Sequence, residues 1–355
     1  MSTPSATRAA AARGRYLADL AAGPGRFLMP RSPDCPWCGS QRLERRVRTR
    51  DWAQGKPGDF TLDRCGACGH VFQNPRLNEA GLAFYYRDFY DGLGAETTGR
   101  MFQGGGSVRR FRSSVAALTA HAAPRTWLDV GTAYGHFPAA ARGLLPETEF
   151  DGLDMGEAVL DAERAGRVAH AFRGFLTELA PTELAGRYDV VSMFHYLEHT
   201  QDPRRELAAA RSALRPGGHL LIEVPDPESL FGRLLGGYWL PWFQPQHLHF
   251  VPWSNMRTEL SRTGFTVLDV RRGHAHVPAD LVAACWFLLT RVLPREDTPW
   301  GERPPGRVAR LVRGGGVLAA APALVAAYGM DRLFAPLARR TAWANAYRVI
   351  ARRED

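Results

Sequence analysis

Lysine is almost missing from this chain of 355 residues, since Lys56 is the only lysine among its 45 lysine and arginine residues. The formal net charge of +9 is therefore carried by arginine. So strong a bias is explained more simply by GC-rich coding than by a polyanionic partner. The sequence also has no long basic run interleaved with aromatic residues, and these absences argue against nucleic acid as a partner.

Long apolar runs are missing as well. No run reaches the about 18 uninterrupted apolar residues that a membrane span needs. The first residues are rich in alanine, arginine, glycine and proline, and they lack the apolar core of about 7 to 15 residues found in a secretory signal. We therefore expect a cytoplasmic protein in which residues 1–30 form a mobile tail or a short helix.

Cysteine is scarce, with five in the chain, but four of them form two CxxC pairs: Cys35, Cys38, Cys65 and Cys68. Two intervening residues let both sulfurs of a pair face one metal ion, and the glycine after each pair relieves the tight turn. Disulfides or a redox CxxC are the alternatives, but neither a secretion signal nor a thioredoxin-like βαβ context supports them. We expect a structural zinc module over residues 31–78.

Residues 79–122 form a linker with an aromatic cluster, followed by a glycine-rich stretch at 103–107. The cluster consists of Phe84, Tyr85, Tyr86, Phe89 and Tyr90. This linker either covers a bound cofactor or packs the zinc module onto the main domain, and the sequence leaves both interpretations open.

The stretch TWLDVGTAYGHF, residues 126–137, predicts a strand, a tight turn and the start of a helix. Gly131, Ala133 and Gly135 permit a turn in which a ligand approaches the main chain, and the amides that open the helix then face an anion. Asp154 ends a second apolar run about twenty residues later, where an acid can bind both hydroxyls of a ribose.

Further motifs follow in order: YDVV at 188–191, LEH at 197–199 with DP at 202–203, and LRPGGHLLIEVP at 214–225. Together with the glycine turn and the acid, they resemble the class I S-adenosylmethionine (SAM) dependent methyltransferases. The segment after the cysteines, CGHVFQNPRLNEAGLAFYYRDFY, resembles the one that follows the zinc ribbon of many bacterial methyltransferases. Ala133 departs from the family pattern by replacing the middle glycine, yet it is small enough for the cofactor.

The resemblance implies an α/β fold with a Rossmann-like sheet, a small N-terminal zinc-binding module and a helical cap inserted before the last strand. Residues 123–272 would form the SAM-binding core, and a last strand within 342–355 would run antiparallel beside the sixth. Apolar runs predict the preceding strands near 126–130, 149–154, 168–172, 188–193, 219–224 and 265–271.

The same resemblance implies SAM as the cofactor and assigns its contacts. Asp129 would orient the turn, whose residues Gly131, Ala133 and Gly135 take the methionine part, and Asp154 would bind the ribose. The remaining contacts would come from Met155, Gly174 and Phe175 at the adenine and from Phe194 near the methyl group.

Methyl transfer from a sulfonium is an in-line displacement, so an acceptor that bears a proton needs a base. His199 is the candidate base, with Glu198 orienting it or binding an acceptor hydroxyl. Tyr196, Glu198 and His199 form a Y.EH pattern similar to the catalytic segment of zinc-containing sugar C-methyltransferases. His195 opens an alternative, because residues 195–199 line up with the E..EH metal site of quinone O-methyltransferases.

In that alternative, His195, Glu198 and His199 hold a divalent metal ion at the active site. In a third interpretation, the histidines only pack or cap the following helix.

Two long insertions follow the fifth and sixth strands, at 226–252 and 273–341. The first offers an aromatic wall and a second pair of histidines for a substrate: Trp239, Trp242, His247 and His249. The second contains two arginine-flanked apolar runs, 281–289 and 317–330, each too short to span a bilayer, and Pro322 interrupts the latter. We expect them to form a helical substrate cap over 273–341, and peripheral membrane contact is the alternative.

The sequence therefore predicts a SAM-dependent methyltransferase acting on a small-molecule acceptor such as a sugar, a natural product or a lipid-like intermediate. A nicotinamide dehydrogenase is disfavoured because LEH and RPGG have no role in it. A non-catalytic module that binds SAM, zinc or a partner is disfavoured by the glycine turn and the LEH segment.

Overall fold

The computed structural model describes residues 4–87, 105–273 and 275–355, so Phe89, Tyr90 and the predicted glycine-rich residues 103–104 lie outside the described residues. The described chain divides into two compact units. The first contains residues 4–87, 230–248 and 278–337. The second contains residues 105–229, 249–273, 275–277 and 338–355. Residues 230–248, predicted as part of the core domain, thus belong to the first unit.

The second unit is built on a seven-stranded sheet in the order β10-β11-β8-β7-β4-β5-β6. Its strands are β4 (Thr126–Val130), β5 (Glu149–Asp154), β6 (Ala171–Arg173), β7 (Tyr188–Phe194), β8 (Leu214–Pro225), β10 (Phe265–Arg271) and β11 (Ala346–Arg353). β11 lies antiparallel between β8 and β10, while β6, β5, β4, β7 and β8 are parallel. This arrangement confirms the predicted α/β Rossmann-like fold.

Helices separate these strands and complete the unit. They are α3 (Gly105–Thr119), α4 (His136–Arg142), α5 (Ala158–Arg164), α6 (Leu176–Leu179), α7 (Pro203–Ala213) and α9 (Trp253–Arg262), with the short strand β9 at His249–Phe250 and a 3-10 turn at Leu197–His199. Phe111, Trp127, Phe137 and Phe150 form an aromatic core between α3, α4 and the sheet. Burial of such side chains is the main stabilising contribution to a fold of this kind.

The first unit contains three antiparallel strands: β1 (Leu43–Arg50), β2 (Asp59–Cys65) and β3 (Val71–Gln73). Its helices are α1 (Pro4–Leu20), α2 (Glu79–Tyr86), α8 (Leu230–Leu234), α10 (Asp280–Val292) and α11 (Arg307–Ala338), with 3-10 turns at Pro24–Phe27, Gly236–Tyr238 and Leu240–Trp242.

The N-terminal segment is helical where a mobile tail was one expectation. Tyr16 of α1 is fully buried and meets Phe84 edge to face, with ring centroids 5.5 Å apart. Phe84 also stacks on Phe27 at 4.5 Å, and Tyr85 is buried beside them. Buried aromatic rings tie α1 and α2 together, so this part of the aromatic linker packs the first unit.

The predicted apolar run 317–330 is part of a single helix of 32 residues, α11, which continues through Pro322 and Pro336. Proline removes an amide donor but does not have to end a helix. By length and composition α11 could cross a membrane, with a hydropathy of 1.5 over its best window, and only 6% of that window is buried.

Candidate functional site

The candidate site lies at the topological switch point of the second unit's sheet, where the order of the strands reverses on either side of β4. β4 pairs in parallel with β5 on one side and with β7 on the other. The chain therefore leaves the carboxyl ends of all three strands at one edge, and ligands bind at such a switch point in open α/β sheets. The predicted cofactor and catalytic residues follow these strands.

The turn after β4 has the backbone geometry that its glycines predict. Gly131 and Gly135 have φ angles of +75° and +69°, and Ala133 adopts +45°. The Ala133 amide donates to Oδ2 of Asp154 at 3.0 Å, and the Gly156 amide donates to Oδ1 at 2.8 Å. The carboxyl of Asp154 therefore holds the turn after β4 and the turn after β5 together.

Two large apolar side chains are exposed beside Asp154. Met155 is 61% exposed and Phe175 is 46% exposed. They leave β5 and β6, which are paired through Asp154 and Arg173, and the Gly174 amide donates to the Asp154 carbonyl at 3.0 Å. An exposed apolar pair next to an acid and a backbone turn suits a flat ring with polar substituents.

Asp129, on β4, is buried and accepts a hydrogen bond from the Ser192 hydroxyl at 2.6 Å. Trp127 Nε1 in turn donates to that hydroxyl at 2.9 Å. Burial, together with repulsion from Asp154, raises the pKa of Asp129 to about 7, although the Ser192 hydrogen bond opposes this rise. Protonation of this acid beneath the turn therefore changes within the neutral pH range.

His195 and Glu198 form a pair directly after β7. Nδ1 of His195 lies 3.0 Å from Oε1 of Glu198, whose side chain is buried, while the side chain of His195 is partly exposed. His195 has a φ of +52°, and its amide donates to the Glu223 carbonyl at 2.8 Å. Left-handed φ angles cost energy in residues other than glycine and concentrate at functional sites.

Tyr196 covers the glycine turn. A Cβ on Gly131 would lie 2.9 Å from Cδ2 of Tyr196, and the Tyr196 hydroxyl donates to Glu206 at 3.1 Å. Burial raises the pKa of Tyr196 and also raises the pKa of Glu206 to about 7. The Tyr196 hydroxyl is thus directed to Glu206, and the catalytic role predicted for Tyr196 stays a prediction. His199 ends the 3-10 turn, its amide donating to the Tyr196 carbonyl at 3.0 Å.

The divalent metal set predicted from the E..EH alignment is grouped in part. In the part of the chain that the structure describes, Glu198 and His199 have ligand atoms within 4.8 Å of each other, and His195 is not grouped with both of them. Nδ1 of His195 lies 3.0 Å from Oε1 of Glu198, and the metal site stays a prediction.

Other predicted site residues lie in packed surroundings. Phe194 stacks into the aromatic core, 4.5 Å from Phe137 between ring centroids. Trp239 and Trp242 are buried in the first unit and meet edge to face at 4.7 Å, and the indole of Trp239 donates to Asp280 at 2.7 Å. The indole of Trp242 donates to the Gly236 carbonyl at 3.0 Å, and the role of both rings as the apolar wall of a substrate pocket stays a prediction.

The two predicted substrate histidines are also buried, and they belong to different units. Nδ1 of His247 lies 2.8 Å from the Pro241 carbonyl, in the first unit. Nε2 of His249 lies 3.2 Å from the Gln201 carbonyl, in the second. One nitrogen of each ring therefore donates to a backbone carbonyl, as in packed loops.

The four predicted zinc-ligand cysteines converge in the first unit. All four Sγ atoms lie within 4.8 Å of one another: Cys35, Cys38, Cys65 and Cys68. The Cys35–Cys68 and Cys38–Cys65 sulfur separations are 3.8 and 3.6 Å. Thiolates about 2.3 Å from a tetrahedral zinc ion would be about 3.8 Å apart, whereas a disulfide needs about 2.05 Å.

The turns around these cysteines match the predicted CxxC geometry. Gly39 and Gly69 have φ angles of +72° and +74°, and their amides donate to the carbonyls of Cys35 and Cys65, each at 2.9 Å. The amides of Trp37 and Ala67 approach the sulfurs of the same two cysteines at 3.4 Å. Such N–H contacts stabilise thiolates.

Residues 105–270 match the family model of the methyltransferase domain. The ubiquinone biosynthesis O-methyltransferase of Pseudomonas paraeruginosa is 30% identical over 160 residues, which cover 42% of this chain and 67% of that protein. The chain belongs to the class I SAM-dependent methyltransferases.

Other methyltransferases are similar over shorter regions. The ubiquinone biosynthesis O-methyltransferases of Marinobacter nauticus and Acinetobacter baylyi are 31% and 28% identical over 131 and 134 residues. These matches cover 34% and 35% of this chain and 55% and 56% of the relatives, so the chain spans about half their length.

Two solved methyltransferases also align. A SAM-dependent methyltransferase from Archaeoglobus fulgidus has 17% identity and a TM-score of 0.46, with coverage of 73% of this chain and 99% of that one. The magnesium protoporphyrin IX methyltransferase of Synechocystis has 19% identity and a TM-score of 0.41, with coverage of 52% and 90%.

The sequence-based prediction missed two polar residues of this methyltransferase site, Ser192 and Glu206. Ser192 could have been found from the sequence, because it is the hydroxyl residue within the apolar strand YDVVSMF. A polar group buried in such a strand needs a hydrogen-bond partner. Glu206 lies three residues after the Pro203 that opens α7, and its burial beside Tyr196 depends on tertiary packing.

The pKa of Asp129 generates a stability prediction. Because its folded-state pKa is raised, its stabilising contribution is present at low pH and is lost as the pH rises through about 7. Between about pH 6 and about pH 8, the unfolding free energy of the parent should fall by about 1 kcal/mol more than that of Asp129→Asn. Urea unfolding at each pH measures this difference.

Glu206→Gln is the matched control, because Glu206 titrates in the same range for the same reason. The unfolding free energy of Glu206→Gln should still include the fall of about 1 kcal/mol that Asp129 contributes between about pH 6 and about pH 8. Equal pH dependence in the parent and Asp129→Asn would contradict the prediction.

Proposed function

We propose that this methyltransferase transfers the methyl group of SAM to a hydroxyl oxygen of a small-molecule acceptor. Two observations support the proposal: the relatives bear O-methyltransferase names, and a histidine paired with a buried carboxyl lies directly after β7. A hydroxyl acceptor carries a proton that such a pair can remove.

The cofactor would lie across the carboxyl ends of β4, β5 and β6. Asp154 has a carboxyl positioned between two turns, and a carboxylate there would accept hydrogen bonds from ribose hydroxyls. Met155 and Phe175 offer exposed apolar surface for adenine, and the backbone of 131–135 would take the methionine part. SAM supplies an electrophilic methyl group, and these residues hold and orient it.

We infer that His195, and not His199, is the general base. When Glu198 is ionised it can only accept, so Nδ1 of His195 carries the proton and Nε2 keeps its lone pair in the neutral ring. A base oriented by a second group is the recurrent arrangement for removing a hydroxyl proton. Glu198 would then act as a positioning residue, since its Oε1 contacts His195.

The test uses His195→Gln, Glu198→Gln and His199→Gln with methyl-labelled SAM and a library of phenols, catechols and keto sugars. His195→Gln should lose about 10²-fold or more in turnover, because general base catalysis contributes about that much. Glu198→Gln should lower turnover less, with the KM for SAM near that of the parent, since only the orientation of the imidazole is relaxed.

His199→Gln is the matched control and should keep most of the turnover. If His199→Gln loses turnover and His195→Gln does not, the general base is His199, as predicted from the sequence. Carbon NMR of the product identifies the methylated atom, and label on carbon instead of oxygen would contradict the proposed acceptor class.

We also propose that the four cysteines hold a structural zinc ion. Four thiolates close the coordination shell, which leaves no position for substrate and makes the metal a cross-link of the loops around β1, β2 and β3.

Metal analysis of protein purified without added zinc should give one zinc per chain, and Cys38→Ser should lower the unfolding midpoint because the cross-link is weakened. Cys285→Ser is the control, since the fifth cysteine lies on α10 outside the cluster. Metal-free protein with four freely reacting thiols would overturn the zinc site.

A further inference from the structure

A large exposed apolar surface of the described chain lies on α11. Nine of the 17 large apolar side chains that are exposed in the described residues belong to this helix. Leu311, Leu318 and Val325 recur every seven residues, with Leu333 one position further on, and they are 75%, 76%, 69% and 83% exposed. This spacing puts them on one face of the helix. A continuous apolar face of this length marks an interaction surface.

The opposite face of α11 is fixed to the first unit at both ends. Near the start, Arg313 donates to the Pro294 carbonyl at 2.9 Å and pairs with Glu296. Near the end, Asp331 accepts from the amides of Leu281 and Val282 at 3.0 and 2.9 Å, capping α10. The orientation of the apolar face is therefore set by contacts on the other side of the helix.

The charges along α11 are almost all positive. Arg307, Arg310 and Arg332 are exposed, whereas Asp331, the single acid of the helix, is buried in its contact with α10. The helix thus presents apolar side chains between basic ends. This is the pattern of helices that lie in the interface of an anionic bilayer, with arginine at phosphate groups and apolar side chains among the acyl chains.

We propose that α11 docks this methyltransferase on the surface of an anionic phospholipid bilayer. The helix lies along the surface and does not cross the bilayer. Crossing would break the contacts of Arg313 and Asp331 with α10 and the segment after it.

A second copy of the chain fits this face less well than a bilayer does. In a two-fold pairing of identical helices the same surface meets itself, so the exposed arginines at the two ends would oppose one another. Anionic headgroups instead complement the arginines at both ends.

The test is flotation of the full-length protein with phosphatidylcholine vesicles, with and without phosphatidylglycerol. The parent should float with the anionic vesicles, and bound protein should fall about tenfold at high salt or without phosphatidylglycerol, because the arginine contribution is electrostatic. Leu318→Glu/Leu333→Glu should lose binding by about tenfold or more, because acids then enter the apolar face.

Met29→Glu/Leu234→Glu is the matched control. It makes the same change of charge at two apolar side chains that are 52% and 66% exposed outside α11, and it should bind as the parent does. Failure of the parent to float, or equal loss in the control, would overturn the proposal. Analytical ultracentrifugation without lipid tests the alternative. A dimer of the parent that becomes a monomer in Leu318→Glu/Leu333→Glu would contradict the proposal. Resistance of the bound protein to alkaline carbonate would contradict surface docking.

Discussion

β4 pairs in parallel with β5 on one side and with β7 on the other, and the register of these pairings decides which side chains meet at the site. Asp129 lies opposite Ser192 in the β4–β7 register, which explains the short hydrogen bond between them. A slip of one residue would turn every side chain of β4 to the other face of the sheet. The buried acid would then lose its hydroxyl partner, and Gly131 would no longer lie beneath Tyr196.

The strands and the glycine turn could be predicted because their signals are local. β4, β5 and β10 begin and end at the predicted residues, since each is a short apolar run bounded by turn residues. The left-handed φ of Gly131 and Gly135 follows from residue type. The four cysteines could likewise be grouped from spacing alone, because two CxxC turns impose the direction of their sulfurs.

The contacts that could not be predicted depend on tertiary structure. The pairing of His195 with Glu198 requires a left-handed φ at His195, which no sequence pattern predicts for a histidine. Trp239 meets Asp280 across 41 residues, and such contacts bring 230–248 into the first unit instead of the core domain. The continuation of α11 through Pro322 overrides the intrinsic helix-breaking tendency of proline.

Hydrogen–deuterium exchange with and without S-adenosylhomocysteine, the demethylated form of the cofactor, tests most directly where this methyltransferase binds SAM. Binding at the proposed site should slow exchange in peptides that cover 129–137, 153–157 and 173–176, while the cysteine peptides of the first unit exchange as before. Asp154→Ala should lose this protection, and Glu157→Ala, which removes an exposed acid three residues away, should keep it. Protection that is absent from these peptides, or that persists in Asp154→Ala, would contradict the proposed cofactor site.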